Sequence, residues 1–373
     1  MARVLTVVAL VVAGVVSPTA ALAVSTTPRV TPLFNGSVYA IAYRGNTVYV
    51  GGTFTYVISG GRTYQRLRLA AFDARSGALL SWAPEADGPI RSLAATDTDI
   101  YAAGDFSTIS GQRRDNLARL ARNTGVVASF AHTVNGVTYS LAIGNGRLYL
   151  GGRFDEVDGE WRDNLAAFSL SDGSLDSDWQ PNADDTVHAV VAAGSRVYLG
   201  GAFHLINDVK GTLRLAAVSA TDGTVDRGFL PKSPAQVNAI AVDGAGIYAA
   251  GAGQGGRASA YTVAGKLRWE QVFDGDAAAI AALGGVVYIG GHFDKACLTT
   301  SNGPHGDCTS GSVPRVKIAA VTAAGALTGW APQANGVIGV RALAADLAHA
   351  TMGAGGDFTM IGGRDRRRFA SFG

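Results

Sequence analysis

The chain has 373 residues, of which 47% are hydrophobic and 16% are charged, and its formal net charge is +2. A charge this close to zero excludes the strong field that recruits nucleic acid or acidic lipid, and the apolar content excludes an intrinsically disordered chain. The 50 glycines are typical of short strands joined by tight turns. We therefore expect a folded protein that binds no nucleic acid.

The first 23 residues have the pattern of a secretory signal peptide. Met1-Ala2-Arg3 gives a positively charged start, an apolar run extends from Val4 to Val16, and Ala21-Leu22-Ala23 resembles a cleavage site. The run is shorter than the roughly 20 residues that a membrane helix needs, and no later segment approaches that length. We predict cleavage after Ala23, no membrane span, and a secreted, extracellular protein formed by residues 24–373.

A short motif then recurs at a period near fifty residues. It contains a tyrosine, a hydrophobic or alanine residue, two small residues, one variable residue and a phenylalanine. Five clear copies are Tyr49–Phe54, Tyr101–Phe106, Tyr149–Phe154, Tyr198–Phe203 and Tyr288–Phe293, and weaker copies are Tyr248–Gly253 and Gly355–Phe358. Repetition at this period, built from short strands and Gly turns, is the signature of a β-propeller. The sequence predicts an all-β, seven-bladed β-propeller over residues 24–373.

Each unit is predicted to contain four strands, A to D. In the first unit these are Val38–Ala42, Thr47–Phe54, Leu67–Phe72 and Ala78–Trp82, chosen from alternation and turn residues. The turn from C to D carries a glycine suited to positive φ at Gly77, Gly125, Gly173, Gly223, Gly265 and Gly325. Strand D ends in an aromatic residue at Trp82, Phe130, Trp179, Phe229, Trp269 and Trp330.

The two ends of the repeat region complement each other. The last unit stops at Phe369–Gly373, which corresponds to strand C, whereas Val30–Gly36 aligns with Trp82–Gly88, the end of a strand D and its exit loop. We therefore predict that the N-terminal segment supplies the outer strand of the last blade. Such a latch removes an exposed sheet edge.

Two units depart from the repeat. Unit five is short around Gly251–Gly256, and unit six carries an insert around Lys295–Pro314 with both cysteines, Cys297 and Cys308. In an oxidising compartment this pair predicts a disulfide, with a metal site or catalytic thiol as the alternative. Since specificity tends to lie in such irregular loops, we expect the insert to form part of the rim of a ligand site.

The third unit carries a family resemblance. Gly151-Gly152-Arg153-Phe154, followed by Gly159, Arg162 and Asn164–Phe168, resembles the delta-60 type β-propeller repeats of secreted bacterial proteins. The resemblance covers residues 30–373 and implies the fold, but it implies no settled biochemical activity.

A second, more distant similarity is to quinoprotein propellers. Ala71–Gly77 followed by Trp82 is similar to their tryptophan-docking motif, but the interval from glycine to tryptophan varies between units here. Adjacent cysteines, which some of those enzymes carry at the quinone, are absent. We interpret the tryptophans as packing residues, with a bound quinone as the alternative.

Residues that recur in every unit are predicted to be structural. They include the tyrosine column of the motif and four hairpin arginines that we expect to bind carbonyls or carboxylates, Arg66, Arg114, Arg162 and Arg366. Metalloprotease, nucleophile-elbow, Walker A and EF-hand motifs are absent, and the six histidines lie apart in sequence. The sequence therefore assigns no catalytic residue and predicts no resident cofactor.

Strand A is the most informative element, because in a propeller it lines the central channel. Its middle position is always small, whereas the position before it follows no rule: Tyr39, Arg91, Tyr139, His188, Asn238, Ala278 and Arg341. Aromatic, cationic and amide side chains can stack on a ligand and donate hydrogen bonds to it. The six non-alanine residues are our candidate ligand-binding residues, and the alternative is that they fill the channel or pack between blades.

A second ring of residues lies on the loops that enter strand A: Asn35, Asp87, Asn135, Asp184, Asp274 and Asn335. Asx-Gly is a turn signal. The alternative function is to supply oxygen ligands for sugar hydroxyls or Ca²⁺, with Asp87, Asp184 and Asp274 as candidate metal ligands.

These observations predict a secreted, non-catalytic propeller that binds a glycan, a small polar ligand or an extracellular surface protein at the mouth of its channel. The alternatives are an extracellular carbohydrate-active or quinone-linked enzyme, and an envelope structural module.

Overall fold

The computed structural model describes residues 23–373, in which the regular secondary structure is entirely β. Apart from Ala23, the predicted signal peptide lies outside the described residues. Within the described range no helix is long and apolar enough to cross a membrane.

Within residues 23–373, seven antiparallel sheets repeat one strand order, in which strand B lies between strands A and C. The A strands are Val38–Arg44, Ile90–Ala95, Val134–Gly144, Val187–Ala193, Gln236–Asp243, Ala277–Leu283 and Val340–Asp346. The B strands are Thr47–Gly52, Asp99–Gly104, Arg147–Val157, Arg196–Gly201, Gly246–Ala252, Val286–Gly291 and Thr351–Gly356. The C strands are Leu69–Asp73, Leu117–Ala121, Leu165–Ser169, Leu215–Ser219, Gly256–Tyr261, Ile318–Thr322 and Phe369–Phe372.

Short strands lie in the connections between strands B and C. They are Tyr56–Ser59 with Arg62–Gln65, Thr108–Ile109 with Gln112–Arg113, Glu160–Trp161 against the end of its own B strand, Lys295–Cys297 with Ser312–Pro314, and Met360–Ile361 with Arg364–Asp365. Leu33–Phe34 pairs with Tyr56–Ser59. Unit five lacks such a hairpin, since its B and C strands are joined by a short bend.

Strand D differs from its prediction. Only unit five forms a long outer strand, Leu267–Phe273. In five other units strand D is reduced to a single bridge, at Leu79, Val127, Leu175, Val225 and Leu327. The predicted hairpin arginines explain part of this loss, because Arg66 donates to the carbonyl of Leu80 at 2.9 Å and Arg114 to that of Ala128 at 2.7 Å. A side chain thus satisfies a backbone group that a strand ladder would otherwise pair.

Aromatic pairs form the core of the units. The motif tyrosine packs against the aromatic residue at the end of strand D, with centroid distances between 5.0 and 6.0 Å. The indole Nε1 of Trp82 donates to the carbonyl of Ala121 in the next unit at 3.2 Å, and Trp179 donates to Ser219 at 3.0 Å. The packing interpretation of these columns is confirmed, and so is the positive φ of all six turn glycines.

The N-terminal segment lies against the last unit. The amide of Arg29 donates to the carbonyl of Ser371 at 2.8 Å, and Arg366 Nε donates to the carbonyl of Arg29 at 2.8 Å. Trp330 Nε1 donates to the carbonyl of Ser25 at 3.3 Å. The carbonyl of Arg29 thus accepts from Arg366 as that of Leu80 accepts from Arg66. The carbonyl of Ser25 accepts from Trp330 as that of Ala121 accepts from Trp82.

The following residues lead into the first unit. Phe34 is buried, with its ring centroid 4.8 Å from that of Phe54 and 6.4 Å from that of Phe369. Phe34 pairs with Val57 as Ala86 pairs with Ile109 one unit later. The alignment of this segment with the exit from a strand D is thus correct.

The insert of unit six is closed by the predicted disulfide between Cys297 and Cys308. It packs on the bend of unit five, where Asn302 Nδ2 donates to the carbonyl of Gln254 and Gln254 Nε2 donates to that of Pro304. Two side-chain hydrogen bonds thereby join the insert to the bend of unit five.

Candidate functional site

Strand A contains a β-bulge at the variable position in all seven units. In the first unit Val38 lies opposite Gly52 and Ala40 opposite Gly51, so Tyr39 has no partner in the ladder. The same shift leaves out Arg91, Tyr139, His188, Asn238, Ala278 and Arg341. A bulge bends the strand and re-aims the extra residue. Because this residue has no cross-strand partner, its side chain is free to differ between units.

The second small residue of the repeated motif is a glycine because it lies opposite the bulge. A Cβ on Gly52 would lie 1.9 Å from the carbonyl oxygen of Ser37, a separation that no side chain tolerates. The equivalent distances are 2.1 Å at Gly104, 2.3 Å at Gly152, 2.1 Å at Gly201, 2.1 Å at Gly291 and 1.9 Å at Gly356. The glycine motif therefore permits the close backbone approach that the bulge creates.

All seven bulged residues line one open cavity of about 920 Å³. Small residues of strand A, such as Ala40, Ser92 and Ala189, form part of its wall. The structure thus brings the six candidate residues to a single site. None of the six is fully buried, since five are half-buried and Arg341 is exposed. Their ligand-binding role stays a prediction.

Three of the candidates lie in a continuous row. The Arg91 guanidinium lies over the ring of Tyr139 at 5.3 Å, and the Tyr139 ring is 5.2 Å from that of His188. Arg91 is held by Asp105, whose Oδ2 accepts from its Nε at 2.8 Å and its Nη2 at 2.5 Å. This bond raises the pKa of Arg91, although burial opposes the shift. One edge of the cavity is therefore preorganised.

The opposite edge is less constrained. Arg341 lies over the ring of Tyr39 at 5.6 Å, a cation–π arrangement. Asn238 donates to the carbonyl of Ala277 at 3.0 Å and accepts from Gln236 Nε2 at 3.1 Å.

Sequence reasoning missed several lining residues, including Gln236, Asp276 and His292. The amide of Asp276 donates to His292 Nδ1 at 3.1 Å, and Asp276 Oδ1 accepts from the amide of Gly253 at 3.2 Å. One signal was available, because the residue before the motif phenylalanine also varies between units and includes both His292 and Asp105.

Burial lowers the pKa of His188 below its ordinary value of 6.5, and the nearby carboxylate of Asp185 offsets only part of this shift. The folded protein therefore holds the imidazole neutral at pH 7.

This shift predicts a pH dependence of stability. Because the folded pKa is the lower one, the unfolded chain binds the proton more readily, and stability falls as the pH drops below about 6.5. His188→Gln should remove this part of the loss, at most about 1.4 kcal/mol per pH unit. Urea denaturation at pH 7.5 and 5.5 measures the effect. An equal loss in both proteins would show that His188 titrates as in the unfolded chain.

The second ring has a structural role. Asn35 Oδ1 accepts from the amides of Thr55 and Tyr56, and Asp87 Oδ1 from those of Ser107 and Thr108 at 2.9 and 3.0 Å. Asp184, Asp274 and Asn335 accept two backbone amides in the same way.

The candidate metal ligands Asp87, Asp184 and Asp274 are consequently separate, each in its own unit. Burial acts to raise the pKa of Asp87, but the amides of Thr108 and Ser107 outweigh it and lower the pKa. In residues 23–373 no group of three acidic, histidine or cysteine side chains could hold a metal ion. One oxygen of each carboxylate accepts two backbone amides, and a role of Asp87, Asp184 and Asp274 as Ca²⁺ ligands stays a prediction.

The disulfide insert was expected at the rim of the site. None of the residues 295–314 lines the cavity. The insert lies behind it, on the bend of unit five whose Gly253 contacts Asp276. The prediction that the insert forms part of the rim is therefore wrong. The insert instead supports the cavity indirectly, through the bend of unit five.

Known proteins share features of this architecture. A family model described as a domain of unknown function (DUF5122) beta-propeller matches residues 99–123, which contain strands B and C of the second unit. The chain is similar to the WD40 beta propeller domain of Doa1, with 11% identity and a TM-score of 0.54 over 92% of this chain and 95% of that one. It is also similar to the computationally designed Ika8 protein, with 14% identity and a TM-score of 0.50 over 91% and 98%.

No curated protein matches this chain. At these low identities the two structural similarities concern the fold alone. Together with the repeated sheets and the family model, they lead to one assignment. The chain is a β-propeller repeat protein.

Proposed function

We propose that this protein is a secreted, non-catalytic, seven-bladed propeller that binds a glycan in its central cavity. The observation that carries the proposal is the convergence of seven bulged residues on one open cavity. The bulge recurs in every unit, but the side chain at the bulge differs between units. We expect this combination in a ring of residues that binds an asymmetric ligand.

Contacts between the last and first units support a closed ring of seven blades. The first glycine of the motif packs against the next unit, as a Cβ on Gly51 would lie 2.4 Å from Ile90. In the last unit a Cβ on Gly355 would lie 2.8 Å from Val38 of the first unit. The bonds of Arg29 to Ser371 and Arg366 support the N-terminal segment as the outer part of the last blade.

The charge of the cavity favours an uncharged polar ligand. Arg91 is paired with Asp105, Asp276 balances the formal charge of Arg341, and His188 is neutral at pH 7. The lining contains guanidinium and amide donors together with carboxylate, amide and phenol acceptors. Sugar hydroxyls both donate and accept, so a glycan matches this lining better than an anion does.

The same lining favours binding over hydrolysis. Of the residues that line the cavity, only Asp276 carries a carboxylate. Most glycosidases need two carboxyl groups about 5 to 10 Å apart. The alternative of an envelope structural module becomes an outcome of the binding test.

Secretion is supported by the disulfide, since such bonds persist in oxidising compartments. Mass spectrometry of protein from the culture medium tests it, with Val24 expected as the first residue.

The binding test uses a panel of neutral and acidic oligosaccharides of two to six residues, read by array and by thermal shift. We expect at least one neutral sugar to bind and to raise the melting temperature. Arg341→Ala should weaken that binding about 10- to 100-fold, because a hydrogen bond to a charged group contributes about 1.5–3 kcal/mol. Its melting temperature should stay unchanged, since the side chain is exposed.

Arg227→Ala is the matched control, because Arg227 is also exposed and does not line the cavity. A panel without any binder would favour the structural module. Binding that survives Arg341→Ala and His188→Ala together would place the ligand elsewhere on the propeller.

A further inference from the structure

A second cavity of about 450 Å³ opens between units four and five. It shares Gln236 with the central cavity, and its other polar lining side chains are Asp185, His204 and Arg214. Small residues, Ala202, Ala252 and Gly253, leave the space between these groups open.

Two departures from the repeat lie at this cavity. Unit five joins its B and C strands by a short bend, whereas unit four uses the segment 202–214. The Asx-Gly pair of the entry loop is also replaced, by Asp184-Asp185 in unit four and by Pro234-Ala235 in unit five. The cavity therefore occupies space that a hairpin of unit five would otherwise approach.

Two hydrogen bonds connect the two cavities. Gln236 Nε2 donates to Asn238 Oδ1 at 3.1 Å, and Gly253 of the second cavity donates to Asp276 of the central one at 3.2 Å. Asp185 lies within the electrostatic reach of both His204 and His188. The residues of the second cavity are thus neighbours of the bulged ring.

Its side chains are available to a ligand. Asp185 and His204 are both exposed, and Asp185 Oδ1 accepts from the amide and hydroxyl of Thr186. Arg214 is held through Nη1 by the carbonyl of Pro234 at 2.9 Å. Acceptor and donor groups therefore face one cleft, as they do in the central cavity.

We infer that the two cavities form one groove that binds a linear oligosaccharide, with Gln236 at the junction between consecutive sugar subsites. The inference rests on the proposed function, because it extends the same glycan site outward. A ligand confined to the central cavity would leave the polar groups of the second cavity unused. A chain of several sugars uses both.

The test measures affinity against chain length, with the di- to hexasaccharides of the sugar that binds best on the panel. Wild-type protein should bind the tetrasaccharide at least tenfold more tightly than the disaccharide. The double variant Asp185→Ala/His204→Ala should lose this gain, while its disaccharide affinity changes less than twofold. His204→Ala alone is measured in parallel, since it leaves the turn at Asp185 intact.

The matched control is Asp178→Ala/His305→Ala, two exposed residues that line neither cavity. Equal wild-type affinity for all lengths would overturn the groove and leave the central site standing. An equal loss for short and long sugars in the double variant would also overturn it. A panel without any binder would refute the proposed function, and this inference with it.

Discussion

Gly152→Val is expected to destabilise the propeller by about 3 kcal/mol or more. A Cβ at this position would lie 2.3 Å from the carbonyl oxygen of Val137 and 2.8 Å from the ring of Phe154. The oxygen belongs to the backbone next to the bulge at Tyr139, so it can move only if the bulge itself is rebuilt. The loss of packing would spread to the neighbouring sheets, because the bulge fixes how strand A meets strand B.

Chemical denaturation followed by tryptophan fluorescence measures this effect. Gly329→Val is the matched control, since Gly329 has negative φ or extended backbone and open space around its Cβ position. Its free energy of unfolding should change by less than about 0.5 kcal/mol. Equal stability of the two variants would mean that the motif glycine does not serve the bulge.

Removal of residues 24–34 is expected to have the second large effect. The deletion takes away the buried ring of Phe34, whose loss alone costs about 3–5 kcal/mol. It also removes the partners of Ser371, Arg366 and Trp330, and thereby uncovers strand C of the last unit. We expect a strong fall in melting temperature and a tendency to associate through the uncovered edge.

A synthetic peptide of residues 24–34 should restore part of the lost stability in a concentration-dependent way, because it binds the folded state only. The same peptide with Phe34→Ala serves as the control. Equal melting temperatures of the shortened and full-length proteins would contradict a stabilising role of residues 24–34. Rescue by both peptides would contradict the role of Phe34.

Much of the fold could be predicted from the sequence because repetition multiplies each signal. A single Gly-Gly pair is ambiguous, but its recurrence before Phe54, Phe154, Phe203 and Phe293 reveals the unit and its period. Strand D could not be predicted as well. Its pattern is apolar enough for a strand, yet hydrogen bonds from side chains such as Arg66 replace the ladder, and these depend on tertiary contacts.

The variable column located the candidate site, but the structural cause of its variation could not be predicted from the sequence. Variation at Tyr39 and its equivalents indicated freedom from a common structural demand, but the bulge that causes this freedom needs the register of strand B. Gln236 is the first residue of strand A in unit five, two positions before the bulged residue, whereas Asp276 lies in the loop that enters strand A of unit six. Both escaped prediction because they lie outside the variable column. The second cavity escaped for a related reason, since it results from residues that are absent from unit five.

Seven bulged residues face one open cavity, and we propose that this cavity holds the ligand. A crystal structure of the protein with the best tetrasaccharide of the panel tests it most directly. We expect density for the sugar against at least three bulged residues, Arg341 among them, with continuous density past Gln236. Sugar bound on the outer face of a sheet, or side chains of strand A closing the cavity, would contradict it.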